Sequence, residues 1–147
     1  GKDEEYVAGR TPYDDSGSFE TSSATSKPRY ERYKNLRAEH KELQTWSPSY
    51  GWLWASAEMS WYLRLYGWKK YTAPMLLIQA QTEDLVSVRA LKNFAGKINR
   101  QGKTTCDYIH MIGTKHEIYG SRGNILEKYW GYIFTFLDDT ENDIDHR

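Results

Sequence analysis

The chain has 147 residues, 39% of them hydrophobic, and its 20 basic and 20 acidic side chains cancel to a formal net charge of zero. That length is enough for one domain with a real core, while a balanced charge favours neither nucleic acid nor an anionic membrane surface. The single Cys106 excludes an internal disulfide framework and suits a reducing compartment, and no apolar run approaches the ~20 residues of a membrane span.

Residues 1–25 are rich in Ser, Thr, Asp and Gly and carry few apolar anchors. Such a stretch cannot bury much surface, so it reads as a loop draped on the remainder. Ser26-Lys-Pro28 marks a helix start, because proline is favoured in the first turn. Tyr30, Tyr33, Leu36, His40 and Leu43 then recur at helical spacing and form one apolar stripe. His40 on that stripe reads as a packed or capping histidine.

A second helix is expected from Ser47-Pro48 to Gly67. Five of the six tryptophans fall between Trp46 and Trp68. Trp54, Ala57, Trp61 and Leu65 share one face, while Tyr50, Trp52, Leu53, Tyr62 and Tyr66 leave almost no polar side. A helix apolar nearly all round is either deeply buried or lines a greasy cavity.

From Tyr71 the pattern changes. Met75, Leu76, Leu77 and Ile78 run without alternation, as strands buried on both faces do. Pro74 suits a strand's first residue because it has no backbone donor. A polar turn with Glu83 and Asp84 follows, then a helix from Ser87 to Asn99 with Val88, Leu91, Phe94 and Ile98 inward. A second strand is expected at 106–112, placing Cys106 with Tyr108 and Ile112 on one face. The turn Gly113-Thr-Lys-His116-Glu117 comes next. Asn124 is a candidate cap for a last helix that turns Ile125, Tyr129, Ile133 and Phe136 to the sheet. Asp138–Arg147 is acidic and nearly free of apolar residues, so it reads as a disordered tail.

In open α/β sheets, ligand chemistry sits just beyond the carboxyl ends of strands. A carboxylate after one strand and a histidine after the next is the order of Asp/Glu and His in α/β-hydrolases. PMLLIQAQTEDLVS resembles the acid strand and turn of bacterial lysophospholipases and the related monoacylglycerol lipases, within the serine aminopeptidase superfamily. IGTKHEIYGSRGNILEKYWGYIFTFLDD resembles their histidine turn and terminal helix.

The resemblance implies that His116 is the catalytic base and Glu83 its acid, counted four residues after Gln79, with Asp84 the alternative. It implies a helical cap over the active site in which Trp54, Trp61 and Tyr50 hold the substrate's acyl chain. The nucleophile is missing: no Gly-x-Ser-x-Gly occurs, and Asp15-Ser-Gly-Ser-Phe19 follows no apolar strand.

The expectation is therefore the C-terminal portion of an α/β-hydrolase. Residues 1–68 form the cap segment, 69–139 the late core, and 140–147 an acidic disordered tail. The function implied is hydrolysis of lysophospholipid or monoacylglycerol esters by the complete protein, the chain alone being inactive. Its partners are a lipid ester, the N-terminal part carrying the nucleophile, and a second copy through an open sheet edge; nucleic acid is not among them. A cytoplasmic location is expected, with peripheral membrane attachment left open. Four scattered histidines and one cysteine lack metal-ligand spacing, and no glycine-rich phosphate loop occurs, so neither metal nor cofactor is expected. The competing reading is a non-catalytic module gripping a lipid or partner with the Trp-rich helix.

Overall fold

The computed structural model describes residues 2–9, 13, 15–45 and 47–145. Helix α1 (Lys27–Glu39) and a 3-10 turn (Lys41–Leu43) precede α2 (Tyr50–Tyr62). A π-helical turn (Leu63–Gly67) carries α2 directly into α3 (Trp68–Lys70). Strand β1 (Met75–Thr82), helix α4 (Val88–Gln101) and strand β2 (Cys106–Lys115) form a strand–helix–strand unit. A 3-10 turn (Ile118–Gly120) then leads to α5 (Gly123–Asp145). The architecture is mixed α/β, and among the described residues the sheet consists of β1 and β2 paired in parallel from Met75↔Cys106 to Ala80↔Met111.

Successive side chains of a strand point to opposite faces, and here both faces are covered. On one side Met75, Leu77 and Tyr108 pack with Ala95, Ile98 and Cys106 beneath α4. On the other, Ile78, Ala80, Ile109 and Met111 meet Ile118, Ile125 and Tyr129 beneath α5. This double burial is why the apolar run shows no alternation. Residues facing the sheet from α4 and α5 recur at helical spacing as expected.

The unit is tied at its ends. Ser87 caps α4 by accepting from the Ala90 amide at 3.3 Å, and Gly102 closes the helix with left-handed φ of 71°. Asn99 then bridges to β2. Its side-chain oxygen accepts from the Cys106 amide at 2.6 Å and its amide donates to the Cys106 carbonyl at 3.0 Å. Each such bond contributes about 1 kcal/mol net.

Four expectations are corrected. The second helix begins at Tyr50, capped by Ser49 rather than Ser47, with the Trp52 amide donating to Ser49 Oγ at 3.2 Å. It does not stop at Gly67, whose φ of −58° and ψ of −38° are helical. A Cβ there would lie 2.9 Å from Leu63 and 3.0 Å from Tyr62, so close packing rather than termination accounts for the glycine. The expected tail is helical through Asp145, because each residue added to a nucleated helix gains a hydrogen bond. Its residues 146 and 147 lie outside the described residues, as does Trp46. Ile112 does not share the buried face of Cys106: it is exposed beyond the helical cover. The first helix ends at Glu39 and buries no side chain. His40 is its C-cap, and its ring Nδ1 lies 3.0 Å from Glu42.

Candidate active site

The site forms where the carboxyl ends of β1 and β2 come level. Up to Ala80 the strands keep register, but the next partners are Thr82 and Lys115. Two steps along β1 are thus matched by four along β2. This bulge advances the end of β2 toward the turn after β1.

Side chains fix the bulge. The Gln81 amide donates to Thr114 Oγ1 at 3.1 Å, and that hydroxyl donates to the Met111 carbonyl at 2.7 Å. Gln81 Oε1 in turn accepts from the Gly113 amide at 2.6 Å. Gly113 has φ of 79°, a conformation costly for residues with a Cβ. Thr114 is only 2% exposed, so its two bonds are sheltered from water.

The polar N-terminal segment holds the turn from outside. Lys115 Nζ donates to the Ser22 carbonyl at 2.9 Å and the Glu117 amide to the Ser23 carbonyl at 3.1 Å. The Gly120 carbonyl accepts from the Thr25 and Ser26 amides. A Cβ on Gly120 would sit 3.0 Å from Ala24, so this close approach requires glycine. The loop expected to drape on the rest of the chain therefore straps the histidine turn.

Within this frame His116 Nδ1 lies 2.8 Å from both Glu83 carboxylate oxygens, across 33 residues of sequence. Glu83 Oε1 also accepts from the Leu85 and Val86 amides at 3.0 and 3.2 Å. The Glu83 side chain is 5% exposed and that of His116 37%. Burial pulls the Glu83 carboxyl upward, but hydrogen bonds from His116 and the two amides outweigh it. The group is held below its ordinary value.

A carboxylate only accepts, so in the neutral ring Nδ1 carries the proton and Nε2 presents a lone pair. A half-exposed imidazole so oriented can take a proton at Nε2 and return it. His116 also borders a cavity of about 470 Å3 lined by Leu76, Ile78, Tyr129, Ile133 and Phe136. Asp84, in contrast, is exposed and forms no hydrogen bond or ion pair among the described residues.

The structure does not bring the three proposed acyl-chain residues to this site. Trp54 and Trp61 are 69% and 60% exposed, and Tyr50 is also exposed. None of them lines the cavity at His116. Tyr50 is engaged elsewhere, its hydroxyl accepting from the Ala8 amide at 3.2 Å. The cavity walls come instead from β1 and α5, whose apolar residues also read as ordinary core in the sequence. Ser121 is fully enclosed, and among the described residues its hydroxyl has no hydrogen-bond partner.

Among the described residues no group of three or more His, Cys, Asp or Glu could hold a metal ion. Likewise no helix there is long and apolar enough to cross a membrane. Cys106 is buried, and burial together with neighbouring Asp107 pushes its thiol up. Compared with protein-family models, curated proteins and solved structures, the chain matches none.

Proposed function

We propose that the chain supplies the acid and base of a serine ester hydrolase whose nucleophile lies on polypeptide outside these 147 residues. The observation that carries this reading is the Glu83–His116 pair, with both carboxylate oxygens 2.8 Å from Nδ1. His116 takes the proton from the serine as it attacks the ester carbonyl, then gives it to the departing alcohol. Glu83 holds the required tautomer and stabilises the imidazolium formed in between. The resemblance of 74–87 and 112–139 to lysophospholipases and monoacylglycerol lipases supports fatty acyl esters as substrates. The fold is then the late part of an α/β-hydrolase, and the unpaired edge of β1 is where further strands add.

The test joins the chain to its upstream polypeptide and follows release of fatty acid from lysophosphatidylcholine and monoacylglycerol. His116→Ala and Glu83→Gln should each lower kcat/KM by orders of magnitude, and Asp84→Asn should change it little. Full activity of His116→Ala would remove the basis of the reading. A binding module remains the second reading, favoured by the exposure of Trp52, Trp54 and Trp61.

A further inference from the structure

The zero net charge conceals a strong segregation. Two adjoining cavities, of about 530 and 870 Å3, share Lys97 and Arg100 on α4. Among the described residues their charged lining is Arg64, Lys69, Arg89, Lys97, Arg100 and Lys103, with no carboxylate on either one. Three of these cations alternate with aromatic rings in a short ladder. Arg64 lies 5.7 Å over the Trp61 ring, and Lys69 and Lys97 lie 5.6 and 5.3 Å over Trp68. Lys97 Nζ donates to the Arg64 carbonyl at 3.0 Å and Lys103 Nζ to the Lys69 carbonyl at 2.9 Å. α4 and the turn after it are thereby tied to the π-helical turn and α3.

Trp61, whose ring Arg64 covers, is exposed, as are Leu65 and Tyr66 on the π-helical turn that carries Arg64. Cations alone would suit any polyanion. Cations flanked by tryptophan, tyrosine and leucine suit the headgroup region of a bilayer, where aromatic rings and apolar side chains sit below the phosphate layer. A nucleic-acid backbone offers no comparable place for Leu65.

We propose that the face built from the end of α2, the π-helical turn, α3 and α4 docks on an anionic phospholipid membrane. The cations meet lipid phosphates and Trp61, Leu65 and Tyr66 enter the interface. This surface is separate from the Glu83–His116 pair, and its test does not depend on catalysis.

The experiment is co-sedimentation of the chain with vesicles of phosphatidylcholine alone, or with phosphatidylglycerol added. Binding is expected only to the mixed vesicles and should be lost at high salt. Lys69→Gln should weaken it about fivefold and Lys69→Gln with Arg100→Gln about 30-fold, while Lys128→Gln on α5 should leave it unchanged. Trp61→Ala should weaken binding without altering its salt dependence. Should the double variant lose its helical circular dichroism, Lys69→Gln and the salt dependence of the unaltered chain decide. Equal binding to both vesicle types, or no binding to either, overturns the proposal. So does an oligonucleotide bound as tightly as the mixed vesicles at the same salt.

Discussion

Glu83→Gln probes the pair without removing its shape. In the unaltered chain Oε1 accepts from the Leu85 and Val86 amides, and the carboxylate as a whole accepts from His116 Nδ1. Glutamine keeps one oxygen, and the two backbone donors will retain it. The amide nitrogen then takes the Oε2 position, 2.8 Å from Nδ1, and opposes the ring N–H as a second donor, while Oε1 at the same distance is already accepting from two amides. The imidazole relieves the conflict by moving its proton to Nε2, so that Nδ1 accepts. A charge-assisted bond worth about 1.5–3 kcal/mol is exchanged for a neutral one worth about 1 kcal/mol. The expected loss of stability is therefore about 0.5–2 kcal/mol by urea denaturation. Nitrogen-15 NMR of the His116 ring reads the tautomer directly. Protonated Nδ1 is expected in the unaltered chain and protonated Nε2 in the variant, which abolishes the free lone pair a general base needs. An unchanged tautomer, or a stability change under about 0.5 kcal/mol, would refute this reasoning.

Further expectations concern the surroundings of the pair. Asp84→Asn should leave the tautomer unchanged and the stability within about 0.5 kcal/mol, since Asp84 is exposed and forms no ion pair among the described residues. Thr114→Val should cost about 1–3 kcal/mol in urea denaturation, because it leaves the part-buried Gln81 amide without this acceptor and removes the buried bond to Met111. It should also disturb the His116 ring resonances, as the bulge carries that residue. Ile98→Ala, at a fully enclosed position under α4, should cost about 2–5 kcal/mol. Because Glu83 is held below its ordinary value, its contribution to stability is present above the unfolded value of roughly 4.3. It should be lost as pH falls through the lower folded value, and Glu83→Gln should remove that part of the acid sensitivity.

The βαβ unit was legible because double burial writes itself as an unbroken apolar run, and because Ser87 and Gly102 are plain helix boundaries. The two turns that carry Glu83 and His116 were legible for the same reason: they fall where the runs end. The bulge was not. Gly113 hints at it, but the bonds of Gln81 and Thr114 depend on which residues the paired strands bring together. The Trp-rich helix was readable as a helix and not as a placement. Apolar residues on every side give no direction, so nothing local says whether Trp54 and Trp61 face His116. Gly67 misled because a glycine needed for packing against Tyr62 and Leu63 looks the same in sequence as a terminating one. The cationic face escaped notice because its members come from 64–69 and 89–103, two stretches apart in a chain whose total charge vanishes.

The most direct test of the central claim is labelling with a serine-directed fluorophosphonate, followed by mass mapping of the modified residue. The chain joined to its upstream polypeptide should be labelled on a serine outside these 147 residues, and His116→Ala should suppress the labelling. A label on Ser121 or any other serine here, or full labelling of His116→Ala, would contradict the account.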